Sequence, residues 1–309
     1  MLQQNPQSII DQHVFLVGRP PIGEFLGFIR TMAVDGQSAD QGSLTEEWRR
    51  ANDHVMKLEK AEAGFADNPS ILPIPQDLEP LAQQAKENPI FQRAFGLFPS
   101  ELAVVELDRL VVFQKHINLA FIECLKAILG PNPTSETVIR LALALERYDP
   151  PVPLMQTAQN SYSFISPSND FRFLEATLLR PDQITNYSAT GPVTAILGLA
   201  VGYGSNCLNA FHIEGRLVLN NGSHRAFALR DLGITHAPCL IQKVLRREEL
   251  DLVGIPDLQQ NPDRYLKATR PPLLKDYFDP LLRKVVGVPR KNRLVKVSFG
   301  IEPSDIPVA

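Results

Sequence analysis

The sequence is poor in cysteine, tryptophan and methionine. Its 309 residues include three cysteines, one tryptophan and four methionines. Cys124, Cys207 and Cys239 lie far apart in apolar surroundings, and no CxxC pair or Cys/His ligand spacing occurs. Disulfide scaffolds, zinc sites and thiol-redox motifs depend on such spacings, so none of them is indicated. We expect three buried, reduced thiols and no metal site.

Long apolar runs and a targeting segment are also lacking. Residues 1–6 have neither the basic nor the apolar region of a signal peptide. The apolar stretch from Thr190 to Val201 is short and is interrupted by Gly198, so no membrane span is predicted. A net charge of −3 and a pI near 6.1 argue against an overall electrostatic attraction to nucleic acid. These features predict a soluble, cytoplasmic protein that does not bind membranes.

Three prolines within residues 149–153 mark a predicted domain boundary, because they resist regular structure. Before it, we predict a mostly helical domain over residues 1–150. After it, strand-like runs predict a small mixed-sheet domain with a C-terminal extension over residues 151–309. The predicted class is therefore α+β. Two segments stay ambiguous: Val104–Phe113 is a strand or a helix, and Ser8–Phe28 is two short strands or an extended docking segment.

The predicted elements follow from hydrophobic periodicity, caps and turn residues. Helices are predicted from Ser43 or Thr45 toward Gly64, from Asp77 to Ala85, over Asn118–Leu129, over Ser135–Tyr148 and over Val193–Ala200. Strands are predicted at Phe171–Leu179, Leu208–Ile213, Leu217–Asn220, Pro238–Val244 and Leu294–Phe299. Glu214-Gly215 is predicted to form a tight hairpin turn. Thr134 or Ser135 is the predicted cap of the Ser135–Tyr148 helix, and Gly233 is the predicted left-handed stop of a helix over Ser223–Leu232.

The stretch from Leu217 to Gly233 carries the most specific pattern in the chain. An apolar strand runs into the polar turn Asn221-Gly222-Ser223-His224-Arg225, and the turn opens a short helix. Such a turn directs backbone N–H groups and the positive end of a helix dipole at one spot, which suits a phosphate. His224 and Arg225 add donors and positive charge in the first helical turn. The pattern therefore predicts a phosphate site.

This order of elements resembles the ParB/sulfiredoxin-like superfamily. Members typically show an apolar strand, a Gly-x-His-Arg or Gly-x-Arg-Arg turn, an alanine-rich helix ending in Leu-Gly, and a strand that opens with x-Val/Ala-Pro. The counterparts here are residues 217–220, 222–225, 226–233 and 237–241. The close match covers about residues 217–243. A looser match extends back to residues 173–184, which look like the family's opening strand.

The resemblance implies a site for the phosphates of ATP, ADP or CTP, with Mg²⁺. Gly222 would allow close backbone approach, and Ser223 would cap the helix or bind a phosphate oxygen. His224 and Arg225 would contact phosphates, and Arg225 is the first choice because a guanidinium makes bidentate bonds to phosphate. Asn221, just before the glycine, completes the predicted cofactor-binding set.

Two positions depart from the catalytic patterns of the superfamily. Sulfiredoxins carry a catalytic cysteine at the place of Ser223, so sulfinic-acid repair is not expected. Related kinases carry an acidic group at the place of Asn221, whose amide cannot act as a carboxylate base or bind Mg²⁺ strongly. ParB proteins carry Gly-Glu-Arg-Arg and a following helix-turn-helix, which has no counterpart here. The alternative of a structural turn that has lost its ligand therefore stays open.

The leading hypothesis is a nucleotide-binding protein that acts as an NTP-dependent phosphotransferase or NTPase. Glu175 and Asp182 are the candidate catalytic carboxylates, as a general base or a metal ligand. Ordinary surface acids are the alternative interpretation for both.

Two other classes of function remain. A nucleic-acid-associated protein, binding or cutting DNA, would use the basic residues Arg283, Lys284, Arg290, Lys291, Arg293 and Lys296. A non-catalytic scaffold would instead bind a protein partner through residues 1–150.

Overall fold

The chain folds into two units. The computed structural model describes residues 9–146, 149–185, 188, 190–252 and 256–307. The first unit combines the residues up to Glu146 with Asn206–Arg290, and the second holds the remainder of the chain. Each unit is therefore assembled from segments that are distant in sequence.

The helices and strands alternate irregularly along the chain. The helices are α1 (Ile22–Met32), α2 (Gln41–Ala61), α3 (Glu79–Glu87), α4 (Pro89–Phe95), α5 (Leu119–Leu129), α6 (Ser135–Ala142), α7 (Ser223–Asp231), α8 (Pro256–Gln260) and α9 (Pro262–Leu266). The strands are β1 (Ile10–Leu16), β2 (Ile71–Pro73), β3 (Ser100–Glu106), β4 (His116–Asn118), β5 (Leu154–Ala158), β6 (Ser161–Ser166), β7 (Phe171–Leu179), β8 (Ile196–Tyr203), β9 (Asn209–Ile213), β10 (Arg216–Asn221), β11 (His236–Lys243), β12 (Arg283–Pro289) and β13 (Arg293–Ser298). Short 3₁₀ turns connect several of them. The α+β class predicted from the sequence is confirmed.

A five-stranded mixed sheet forms the centre of the first unit. Its order is β10-β9-β11-β3-β2, with β9 and β11 parallel and the other neighbours antiparallel. The side chains of Val105 on β3 and of Ala237 and Ile241 on β11 are buried in the same core. Because β3 pairs with β11 over His236–Gln242 and β9 pairs with it over Leu240–Lys243, this strand joins the two segments of the unit.

A second sheet of the first unit has the order β12-β1-β4, with all neighbours antiparallel. Val14 and Leu16 of β1 and Ile117 of β4 belong to the same buried cluster as β3 and β11. This sheet brings the first described strand of the chain beside the segment that leads into α5.

The second unit contains two small sheets. One has the order β13-β6-β5, and the other is the antiparallel pair β7-β8. Phe171 packs on Phe164 and Tyr203, and the Tyr203 hydroxyl donates a 2.8 Å hydrogen bond to the Pro150 carbonyl. These contacts lie within the unit.

Capping residues explain where several helices begin and end. Asp40 caps α2 by accepting from the Gly42 and Ser43 N–H groups, so α2 starts slightly before the predicted caps. Asn118 caps α5, as the predicted start implied, and Thr134 caps α6. Gly233, with φ +83°, follows α7 and provides the predicted left-handed stop.

Most predicted strands and helices of the motif region are confirmed. Strands β9, β10, β11 and β13 lie where they were expected, and Glu214 and Gly215 form the predicted tight turn, with φ of 49° and 75°. The ambiguous segment Val104–Phe113 begins in strand β3. Helix α6 is shorter than predicted, and residues 147–148 of that prediction lie outside the described residues.

Two predicted elements are wrong. Ser8–Phe28 was read as two short strands or an extended docking segment. Ile10–Leu16 does form strand β1, but Phe25–Phe28 lies in α1, where Phe25 and Ile29 bury one helical face. Val193–Ala200 was read as a helix, but Ile196–Tyr203 forms strand β8 opposite β7. Short apolar runs fit both structures, and tertiary pairing decides between them.

The structure divides the chain differently from the predicted domains 1–150 and 151–309. Residues 206–290 pack with the N-terminal segment, because β3 and β2 extend the sheet that β9, β10 and β11 begin. The predicted N-terminal domain therefore holds strands of the sheet that carries the candidate motif.

This arrangement predicts that the two halves of the chain do not fold separately. We expect residues 1–150 and 151–309, expressed alone, to lack cooperative thermal unfolding, because each would leave one edge of β3 or β11 unpaired and apolar. Circular dichroism melting of each half, of the co-expressed halves and of the full chain measures this. A sharp transition of the 151–309 half alone, at the midpoint of the full chain, would contradict it.

Candidate functional site

The turn between β10 and α7 is set by Gly222. This residue adopts φ +88° and ψ +20°, a left-handed conformation that glycine tolerates best. A Cβ at this position would lie 2.8 Å from the Leu208 Cα, closer than carbon atoms pack. The glycine is therefore required by packing within the chain itself, a role that the sequence did not indicate.

The N-terminus of α7 has no side-chain cap. Within the described part of the chain, no side-chain oxygen accepts from its first N–H groups, and the residue before the helix is Gly222. Asn221 instead accepts from the Gly222 N–H at 2.7 Å, which shapes the turn. The first turn of α7, with half-buried Ser223, keeps N–H donors that a capping side chain would otherwise engage.

Arg225 is held by an asparagine. Its Nη1 donates to the Asn206 Oδ1 at 2.6 Å. This hydrogen bond fixes the direction of the guanidinium. Arg225 therefore brings an oriented positive charge to the first turn of α7.

His224 is directed into the structure. Its Nε2 accepts from the backbone N–H of Asn118 at 3.1 Å, and its ring packs edge-on against Phe121 at a centroid distance of 5.3 Å. Burial, followed by the nearby His116, His13 and Arg225, lowers its pKa to about 4. A neutral ring that accepts at Nε2 carries its proton on Nδ1. His224 thus links α7 to the start of α5.

Two further histidines adjoin His224. His13 on β1 and His116 on β4 place their Nδ1 atoms 3.1 Å apart, a hydrogen bond in which one ring donates to the other. Burial, with a smaller effect of His13, lowers the pKa of His116 to about 4. Burial also lowers the pKa of His13, against the opposing effect of Asp11. We call His13, His116 and His224 the histidine cluster.

Asp11 and Arg290 form an ion pair beside the histidine cluster. Arg290 binds Asp11 through two nitrogens, with distances of 2.6 to 3.1 Å, and the Asn118 Nδ2 donates to the Asp11 Oδ2 at 3.1 Å. The Arg290 hydrogen bond holds the pKa of Asp11 below its usual value despite burial. Asn118 therefore contacts Asp11, His224 and the first turn of α5 at once.

The predicted carboxylates lie in the other unit. Glu175 is on β7 and Asp182 follows it in the short 3₁₀ turn Pro181–Gln183, where an exposed Arg180 lies 4.0 Å away. The phosphate-binding candidates Asn221, Gly222, Ser223, His224 and Arg225 lie in the first unit. Strand β7, which looked like the opening strand of the superfamily, pairs with β8 and does not join the sheet of β9, β10 and β11.

The basic run near the C-terminus is divided between the units. Lys284 pairs with Glu47 at 2.6 Å, and Arg290 pairs with Asp11. Residues from Lys291 onward, including Arg293 and Lys296 on β13, belong to the second unit. The run is therefore not one continuous strand face, as a phosphate-binding stripe would require.

The cysteines are not all buried, which corrects the sequence-based expectation. Cys124 on α5 is exposed, whereas Cys207 and Cys239 are buried, and all three are free thiols. Burial raises the pKa of Cys207 to about 12 and that of Cys239 well above its usual value. The two buried thiols are therefore poor nucleophiles at neutral pH.

The part of the chain that the structure describes contains neither a metal-binding cluster nor a membrane-spanning helix. No group of three or more His, Cys, Asp or Glu side chains is arranged to hold a metal ion there. No helix in the described ranges has both the length and the apolarity to cross a bilayer.

Sequence reasoning missed the residues that surround the motif. Asn206, Asn118, His116 and His13 contact the motif or one another, although they come from three separate segments, which are β1, β4 and the residues before β9. Each of these segments is unremarkable by itself. The sequence predicted a helix that begins at Asn118, but it gave no reason to place that residue beside His224.

Comparisons with protein-family models, with characterised proteins and with solved structures gave no match for this chain. The resemblance to the ParB/sulfiredoxin-like superfamily consequently stays a prediction.

The histidine cluster predicts an acid-sensitive fold. Histidines with pKa values lowered from 6.5 to about 4 bind fewer protons when folded than when unfolded. The free energy of unfolding should therefore fall as the pH is lowered from about 6.5 toward 4. Urea unfolding at pH 7 and pH 5 measures the free energy of unfolding at each pH. His116→Gln should make the difference between these two free energies smaller. The control is His236→Gln, at an exposed position outside the cluster. If the free energy of unfolding falls by the same amount between pH 7 and pH 5 in His116→Gln and in the parent protein, the role of His116 in the acid sensitivity is contradicted.

A matched pair of glycine variants tests the packing of the turn. Gly233→Ala should cost about 1–2 kcal/mol, because Gly233 is left-handed but has open space around it. Gly222→Ala should cost about 1–3 kcal/mol more, because its Cβ would also crowd Leu208. Chemical denaturation of both variants gives the difference. Equal costs would show that Leu208 moves aside freely.

Proposed function

We propose that this chain binds a nucleotide through its phosphates at the first turn of α7. The observation that carries the proposal is the uncapped N-terminus of α7 with Arg225 in its first turn. Backbone N–H groups, the helix dipole and a guanidinium then act on the same anion. The resemblance of residues 217–243 to nucleotide-binding relatives supports the same assignment.

Each motif residue takes a distinct part in this proposal. Ser223 and the neighbouring N–H groups bind phosphate oxygens, and Arg225 adds a charged, bidentate contact. Gly222 and Asn221 shape the turn, and His224 fixes α7 to Asn118. His224 therefore acts as a positioning residue, and the direct phosphate contacts are left to Ser223 and Arg225. ATP, ADP and CTP are the ligands to compare, with and without Mg²⁺.

Phosphate transfer or hydrolysis requires a base that the turn does not supply. Asn221 is an amide, and the nearby carboxylate of Asp11 is engaged by Arg290 and Asn118. A phosphotransferase or NTPase reaction would therefore draw its carboxylate from another place, for which Glu175 and Asp182 were the predicted candidates. We propose binding as the first property to measure and hydrolysis as the second.

Calorimetric titration tests the binding proposal. The parent protein should bind at least one of ATP, ADP and CTP saturably, and Arg225→Ala should weaken that binding at least 100-fold, because the charged contact is lost. Arg225→Lys should retain part of the affinity, since lysine keeps the charge but not the bidentate geometry. Arg230→Gln is the matched control, since Arg230 lies at the other end of α7 and pairs with Asp108.

Absence of measurable heat with all three nucleotides, with and without Mg²⁺, would overturn the proposal. Equal affinity in Arg225→Ala and the parent protein would overturn the assigned site. Thermal melting of each variant confirms that a loss of binding does not reflect unfolding.

A further inference from the structure

The second unit buries very few apolar side chains. Among its described residues, Phe171 is the only hydrophobic side chain that is buried. The four buried apolar clusters of the described chain all lie in the first unit. Burial of apolar surface is the main favourable contribution to folding, so a unit with so small a core needs stabilisation from another source.

The hairpin β7-β8 exposes one apolar face. Ala176 lies opposite Leu199 and Leu178 opposite Leu197, and residues that lie opposite one another share a face of the sheet. Leu178 and Leu197 are 69% and 64% exposed, and Leu199 is 37% exposed. A two-stranded hairpin is only marginally stable by itself, whereas three or more strands with an apolar face form a stable sheet. Additional strands would therefore stabilise this hairpin.

The two outer edges of the hairpin differ. Neither β7 nor β8 pairs with any other described strand. Strand β7 contains Arg172, Glu175 and a register shift between Phe173 and Glu175, and charges and bulges protect an edge from pairing. Strand β8 has no charged residue, no proline and no inserted residue. The N–H and C=O groups on its outer edge are therefore available to a further strand.

We propose that β8 pairs in antiparallel orientation with β8 of a second copy of this chain, so that the two hairpins form one four-stranded sheet. The lack of charge in β8 favours a second copy as the partner. In a symmetric pair of identical strands a charged residue at or near the two-fold axis would face its like, and like charges directly opposite are destabilising. Strand β7, with its two charged residues, does not offer such an edge.

The symmetry also decides which residues meet. A two-fold axis perpendicular to the sheet at Leu199 places Leu199 opposite itself and Leu197 opposite Val201 of the second copy. Leu197, Leu199 and Val201 alternate along β8 and so lie on the same face. The apolar faces of the two hairpins then become one continuous face. The proposal does not depend on the nucleotide site, whose residues lie in the first unit.

Sedimentation equilibrium of the full chain tests the pairing. The parent protein should form a dimer with twice the 34.4 kDa mass of one chain. Leu199→Lys should raise the dissociation constant about tenfold or more, because two like charges then lie opposite each other. Ala176→Lys is the matched control, since Ala176 lies opposite Leu199 on the same face but on β7. It should change the dissociation constant by about twofold or less, because β7 does not contact the second copy.

A mixture of two variants tests whether the partner is a second copy. Leu199→Lys and Leu199→Glu should each dimerise weakly alone and should form a mixed dimer when combined, because opposite charges then meet. Recovery of the dimer also shows that both variants are folded, and circular dichroism melting of each variant checks this independently.

Four outcomes would overturn the proposal. The first is a parent protein that stays monomeric, and the second is a dimer that Leu199→Lys does not weaken. The third is an equal loss in Ala176→Lys and Leu199→Lys, which would show that the apolar faces stack and that the edges do not pair. The fourth is a mixture of Leu199→Lys and Leu199→Glu that stays monomeric. Cosedimentation of a monomeric parent protein with neutral phosphatidylcholine vesicles would assign the apolar face to a lipid surface instead.

Discussion

The pairing of β11 with strands on both sides is the constraint on which the first unit depends. β9 pairs with it in parallel and β3 in antiparallel register, although the residues of β3 precede it by more than a hundred positions. The strand is almost entirely buried. Because an unpaired buried strand would leave its backbone N–H and C=O groups unsatisfied, neither segment of the unit is complete without the other.

The candidate site is a consequence of this pairing. Leu208, the residue immediately before β9, lies where Gly222 must turn, and the close approach of the two leaves no space for a side chain at Gly222. The same core brings α5 beside α7, so that the Asn118 N–H reaches His224. The turn is thus held from two sides by the chain. That rigidity favours a preorganised set of N–H donors over a flexible loop.

The first unit contains two clusters of polar side chains, and different interactions stabilise them. In the histidine cluster, burial keeps the rings neutral, and hydrogen bonds between uncharged groups hold them. Around Arg19 and Arg270 the groups are ionised, and Asp276 is shared between them. Burying a charge costs more than burying a neutral ring, so the second cluster requires ion pairs that the first does not, and Glu62 and Glu59 supply further carboxylates to Arg270 and Arg19.

Secondary structure was predictable where local signals were strong. The start of α5 next to Asn118, the cap at Thr134, the stop at Gly233 and the turn at Glu214-Gly215 depend on a few neighbouring residues. The sequence predicted each of them, with Ser135 as the alternative to Thr134. Strand β8 and helix α1 were misjudged because their short apolar runs suit either structure. In β8 the partner strand β7 decided the outcome, and in α1 the burial of Phe25 did.

The sequence by itself determined the α+β composition, the strand–turn–helix of residues 217–233 and the positive charge of Arg225. These depend on neighbouring residues and on residue type. Tertiary structure alone decided that residues 206–290 join the N-terminal segment, that His224 faces Asn118, and that Arg19 and Arg270 are buried around Asp276. The physical reason is that burial and strand pairing join residues far apart along the chain, and local propensities do not encode which distant residues will meet.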